Sequence, residues 1–238
     1  MRPALLASFL LIGCIAQGQL SDIFKKAEET VNQRSTAGLS NDKIVAGLKE
    51  ALQVSTGKAV AVTGKPDGFL KNEAIKILLP PKLQTVGRGM RMLGMGTQVD
   101  ELEIGMNRAA EQATPLAKQI FLSAVKKMTF DDARKILTGS DTAATEYFKR
   151  TSSEDLTAAF APIVHRSMEQ VGVIQQYNRV VESAPGGRAL TGQFDINQYV
   201  VGKTLDGLFL MLGEEEKKIR KNPAAQTTTL LKEVFGRK

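Results

Sequence analysis

The single histidine of the chain, His165, stands four residues before Glu169. On a helix that spacing puts an imidazole and a carboxylate on one face, which is how a metal site or an acid–base pair begins. A zinc site would need further carboxylates, because one cysteine cannot build a thiolate cage and no His-Glu-x-x-His run is present. A serine hydrolase would need the same imidazole, and no Gly-x-Ser-x-Gly elbow exists. The Gly57-Lys58 and Gly64-Lys65 pairs lack the rest of a phosphate loop, since Leu52 and Ala59 stand where its first glycine belongs. Met90, Met92 and Met95, with Met106 further on, could offer thioethers to Cu(I), or could fill gaps between helices.

Carboxylates gather at Asp131, Asp132, Asp141 and Glu146. Paired carboxylates can do acid–base work or bind calcium, but each Asp here also falls where a helix start wants one. Capping does not account for Thr142, Tyr147 and Lys149. The expectation is therefore a small ligand-binding site at Asp141, Thr142, Tyr147 and Lys149, in a groove between helices. Asp141 caps its helix, Phe148 enters the core, and Tyr147 lines the opening. No catalytic, cofactor or metal-binding residues are assigned. Glu214, Glu215 and Glu216, followed by Lys217, Lys218 and Arg220, read as a solvated, salt-bridged helix face, with a partner-docking surface as the alternative.

The elements that must position these residues are helices. Of 238 residues, 42% are apolar and 24% charged, which is globular composition. Ile44, Val45, Leu48, Ala51 and Leu52 follow a 3.6-residue period that stops at Gly64. Ile75, Ile77 and Leu79 alternate before Pro80-Pro81, so residues 74–79 read as a short extended or irregular segment. Pro81 suits the first position of a helix ending near Gly94, and Thr97 to Asp100 resembles a capping box. Pro115 should kink or split the helix that follows. Thr129 to Asp132 caps another helix, Asp141 a short one, and Ser152 to Asp155 opens the next. Asp195 starts a long helix whose apolar run reaches Leu212, and Pro223 begins a last one bearing Leu230, Leu231, Val234 and Phe235. The fold class is all-α, a single-domain multi-helix bundle over residues 39–238.

Residues 1–18 read as a secretory signal, with Arg2 before the apolar run Leu5 to Ile12. Small residues at Ala16 and Gly18 favour cleavage before Gln19, whereas Leu11-Ile12-Gly13-Cys14 would make Cys14 a lipidated residue. Residues 19–38 then form an N-terminal helix and linker. The expected location is the periplasm, free or as a membrane-anchored lipoprotein. No run reaches the roughly 20 apolar residues of a membrane span. The formal net charge of +7 suits an anionic membrane surface. It does not suit nucleic acid, because the basic residues are dispersed without interleaved aromatics.

The run Met128 to Phe148, MTFDDARKILTGSDTAATEYF, resembles the hallmark of a bacterial family, domain of unknown function 4197. Asn107-Arg108-Ala109-Ala110-Glu111 is similar to a second segment of that family, and so is the stretch from Asp206-Gly207-Leu208-Phe209 through Glu216 to Ala225. Ser140 stands where the family pattern has a second glycine. The resemblance covers roughly residues 39–236 and implies an exported, mostly helical protein, with no activity to carry over. The first functional expectation is an exported, non-enzymatic envelope protein holding an apolar or lipid-like ligand between helices. A sugar would want more aromatic platforms than 5% aromatics and no tryptophan supply. The alternatives are a structural or partner-binding envelope protein without a small ligand, and a carboxylate-dependent enzyme.

Overall fold

Prolines, glycines and the Thr129 cap divide the described residues into helices, and no strand occurs among them. The computed structural model describes residues 41–170, 172–182 and 194–222. The expected signal segment with Cys14, the helix and linker expected over residues 19–38, and the last helix expected from Pro223 lie outside them. The order is α1 Asn41–Thr63, α2 Pro81–Met92, α3 Gly96–Ala113, α4 Ala117–Lys127, α5 Phe130–Thr138, α6 Ala143–Gln170, α7 Val173–Glu182 and α8 Ile196–Lys221. The fold is all-α.

Helix α8 packs on α6 along one side and α1 along another, and also reaches α3. Helix α3 lies between α6 and α7. One apolar cluster runs through all of them. Phe69, Phe121, Phe148 and Phe160 are fully buried in it. Phe121 of α4 meets Phe148 of α6 with ring centroids 4.9 Å apart, and Phe209 of α8 at 6.2 Å.

Several helix ends follow local chemistry. Pro80 precedes Pro81 at the first position of α2, and Gly94 takes the left-handed conformation (φ +80°) after α2 ends. Pro115 sits in a 3-10 turn, Thr114–Leu116, that separates α3 from α4. Asp195 caps α8 by accepting the Gln198 N–H at 3.0 Å. Thr129 and Asp132 form a complete capping box on α5, each side chain accepting the other's backbone N–H at 3.1 Å. The Thr129 hydroxyl, then its backbone N–H, holds the Asp132 carboxyl below its ordinary value. This contribution is complete above the unfolded carboxylate pKa of about 3.9 and is lost as pH falls through the lowered folded value. Thr129→Ala should cost about 0.5–2 kcal/mol at neutral pH in denaturant melts, and the deficit should shrink in acid as Asp132 protonates.

Other ends differ from expectation. Helix α3 begins at Gly96 without a side-chain cap, so Thr97 to Asp100 is not a capping box. Arg91 holds Asp100 instead, at 2.7 Å. Helix α6 runs unbroken through Ser152 to Asp155. The hydroxyls there bond backwards, Thr151 to the Tyr147 carbonyl at 2.9 Å and Ser153 to the Lys149 carbonyl at 2.6 Å, rather than capping forwards. Pro162 lies inside the same helix on its exposed side.

Residues 74–79 form no strand. Ile75, Ile77 and Leu79 are buried in alternation, as an extended chain dictates. Gly207 of α8 lets the preceding loop close: a Cβ there would stand 2.6 Å from Cε1 of buried Phe69 and 3.1 Å from the Ile75 Cβ. Gly207→Ala should therefore destabilise by about 1–3 kcal/mol in a denaturant melt, despite alanine's better helix propensity.

Candidate functional site

The expected site residues separate. Thr142 and Lys149 line a groove of about 240 Å³ between α6 and α8, floored by Phe209, Leu210 and Gly213. Lys149 Nζ stands 6.0 Å from the Phe209 ring centroid. Lys149 also pairs with Glu146 at 3.4 Å, and Lys217 with Glu214 at 2.9 Å, so the rim carries both signs.

Tyr147 is not in the groove. It is 5% exposed, and its hydroxyl donates to the Ala124 carbonyl of α4 at 3.1 Å. Burial, and next the Asp132 carboxylate, push its phenol above the usual value. Both Tyr147 and Phe148 therefore reach the interior, because α6 is covered by α4 on one side and α8 on another.

The amides that Asp141 was expected to cap are held from elsewhere. Glu216 Oε1 accepts the Ala144 N–H at 2.9 Å, and Oε2 accepts the Thr145 N–H and Oγ1 hydroxyl, each at 2.8 Å. Asp141 pairs with Lys221. Ser140 shapes the turn: its carbonyl accepts the Ala143 N–H at 3.1 Å and its hydroxyl the Thr142 N–H at 3.4 Å.

Glu216 has a second partner, Arg220, whose Nε and Nη2 donate to Oε1 at 3.0 and 2.9 Å. Nη2 also donates to the Ile136 carbonyl at 2.8 Å, at the end of α5. The ion pair thus spans the α5–α6 corner. It puts a cation at the C-terminal end of one helix dipole and an anion at the N-terminal end of the next. The run Glu214 to Glu216 is not a uniformly solvated face, since Glu215 and Glu216 are buried. The Lys217–Glu214 and Lys218–Glu215 pairs expected at its surface do form, the latter at 2.6 Å.

A second clamp sits on α3. Asn107, fully buried, holds Ile77 from both sides: Oδ1 accepts its N–H and Nδ2 donates to its carbonyl, each at 2.8 Å. Glu103 accepts the Leu79 N–H at 3.2 Å, and Glu111 Oε1 accepts the Phe69 and Leu70 N–H groups at 3.1 Å each. Arg108 ties Glu111 at 2.6 Å to Asp67 at 2.7 Å. The Lys71 and then the Arg108 side chain lower the Asp67 carboxyl. Glu103, Asn107 and Glu111 recur every four residues, so one α3 face carries the loop.

Of the clamp residues, Asn107, Arg108, Glu111, Glu216 and Arg220 fall within the segments quoted as family-like. A family model described as "Protein of unknown function (DUF4197)" matches residues 38–236. The chain belongs to that family. No curated protein and no solved structure matches it. In this DUF4197 chain the three quoted segments meet in space: the hallmark run supplies the α5–α6 corner, Glu216 and Arg220 brace it, and Asn107 to Glu111 hold the loop that Gly207 admits.

His165 and Glu169 lie 3.3 Å apart on the surface of α6, and no group of three metal-ligating side chains occurs among the described residues. The methionines do not converge, since Met90 and Met106 are buried while Met92 points to solvent. One sequence signal could have found Glu216: it continues the buried Leu208–Leu212 row at i+8, and a carboxylate on a buried row needs donors. Nothing local indicates that those donors are the α6 amides.

Proposed function

We propose that the protein is an exported envelope protein that acts through its surface, binding a partner or a membrane, and neither encloses a small ligand nor catalyses a reaction. The observation that carries this reading is the destination of the family-like polar side chains. Asn107, Glu111, Glu216 and Arg220 are turned onto backbone groups of the protein itself, where a catalytic or ligand-binding set would converge on open space. The interior supports it too. Fully buried phenylalanine, leucine and methionine side chains fill the space between α3, α4, α6 and α8, where an apolar ligand was expected. The α6–α8 groove and a cleft of about 540 Å³ beside Lys71, Glu73 and Asp100 are open to solvent and carry charged rims. Among the described residues no helix is long and apolar enough to cross a membrane. The export signal expected at residues 1–18 supplies the location, with cleavage before Gln19 or lipidation at Cys14 as its two forms.

Native mass spectrometry of protein taken from the envelope fraction, before and after organic extraction, tests the reading. The expected result is one polypeptide mass beginning at Gln19 or at acylated Cys14, unchanged by extraction. A stoichiometric, extractable small molecule would restore the ligand-carrier reading. A species retaining Met1 in the cytoplasm would remove the export.

A further inference from the structure

We propose that the outer side of α1 and α4 is a cationic face that lies on an anionic lipid surface. The inference rests on the surface-acting reading above and names both the face and what it meets. Two stretches of chain build it. Residues 51–66 hold Lys58 and Lys65, residues 112–130 hold Lys118, Lys126 and Lys127, and neither stretch contains an acidic residue. They lie side by side, because α1 packs on α4 and on the 3-10 turn before it. Gly64 marks the seam: a Cβ there would stand 3.1 Å from the Pro115 ring. All five lysines are exposed and in no ion pair among the described residues.

The surplus of charge is local. The described residues carry 24 basic and 21 acidic side chains, a net +3, and these two stretches alone hold +5. The remaining described residues therefore come to −2, so the positive charge is gathered here rather than spread. The neighbouring elements do not cancel it. Asp67, two residues after Lys65, is held by Lys71 and Arg108. Asp131 and Asp132 open α5 but share that helix with Arg134 and Lys135. On α6, Glu154 and Asp155 follow Arg150, which takes one unit from the surplus and leaves +4.

That charge selects the occupant. A second copy is unfavourable, since a two-fold contact would set lysine against lysine. A specific protein interface is enriched in arginine and aromatic side chains and depleted in lysine. Here lysine is the sole cation, and the one aromatic side chain between the lysines, Phe121, is buried. Single-stranded nucleic acid would want exposed aromatics for its bases to stack on. Lysines on flexible stems suit lipid headgroups, which ask for charge and reach rather than a fixed geometry. The same stretches expose Val62, Leu116 and Phe130, apolar side chains that can meet the acyl boundary beneath the headgroups.

The full chain carrying Cys14→Ser, so that no acyl tether contributes, is floated with vesicles of phosphatidylglycerol and phosphatidylcholine, and with phosphatidylcholine alone. It should float with the first and not with the second. Salt of about 1 M, where the screening length is ~3 Å, should release it. Lys58→Glu, Lys65→Glu and Lys118→Glu together should lower the partition at least about tenfold. Lys82→Glu, Arg88→Glu and Arg166→Glu change the net charge equally at exposed positions outside the face, and should keep most of the partition. Leu116→Trp adds a local readout, since the chain has no tryptophan of its own. Its emission should shift to the blue on the anionic vesicles, while Leu210→Trp, exposed on α8, keeps its aqueous emission. Equal loss in the two triple variants, equal flotation with phosphatidylcholine alone, or an unshifted indole at position 116 overturns the proposal. So does retention on poly-glutamate with no binding to any vesicle. Each of these outcomes leaves the extraction-insensitive mass untouched, so this proposal can fail while the surface-acting reading stands.

Discussion

Glu216→Ala should lower stability by about 3–5 kcal/mol, the cost of breaking a buried, hydrogen-bonded ion pair. The Glu216 and Arg220 side chains are 6% and 10% exposed, so little water can replace the lost carboxylate. Three donors at the start of α6 lose their acceptor at the same time. For a chain of this size the melting temperature should fall by about 6–20 °C. Glu216→Gln should fall between, since an amide oxygen still accepts from the backbone but does not neutralise Arg220. Glu214→Ala is the control. Its carboxyl is lowered by Lys217 at the surface, and its removal should leave the melting temperature unchanged. If Glu216→Ala melted with Glu214→Ala, the corner would not depend on this ion pair.

Asn107→Leu should cost about 2–5 kcal/mol, because a shape-similar apolar side chain leaves the Ile77 N–H and carbonyl buried without partners. The loss should appear in the denaturant midpoint. It should also appear locally, as faster hydrogen exchange at the Ile77 amide with the α6 amides of Ala144 and Thr145 unaffected. Equal acceleration at both places would mean that the α3 clamp and the α8 clamp form one cooperative unit.

The sequence makes the local part of this fold legible. Thr129 and Asp132, Asp195, Pro81 and Pro115 each act within a few residues of themselves, so the caps, the α2 start and the α3–α4 split follow from spacing. Where capping was read from type alone, it misled. Thr97 to Asp100 has the residue types of a cap, but Arg91 claims the carboxylate, and Ser152 to Asp155 lies within a helix already running. The corner was harder still. Asp141 stands at a helix start, yet the acceptor for that start comes from Glu216, 72 residues beyond the Ala144 amide it holds. No periodicity within α6 or α8 states that the two meet. The groove was legible in part: Thr142 and Lys149 face it, whereas Tyr147 is drawn inward by a hydroxyl that finds the Ala124 carbonyl.

The distance between Glu216 and the amides it holds also sets an order of events. Chains are made at about 5–20 residues per second, so α6 waits roughly 4–14 s after its first turn is made before the carboxylate that secures that turn exists. Until then the longest of the described helices begins with bare amides at Ala144 and Thr145, and the Ile136 carbonyl in the last turn of α5 lacks its guanidinium. The corner is a joint whose latch is cast last. A nascent or cut-short chain ending before Glu216 carries the α5–α6 half of that joint without Glu216 or Arg220, and its corner stays open to chaperones and proteases alike. The completed chain closes it in one step, with two side chains a single helical turn apart.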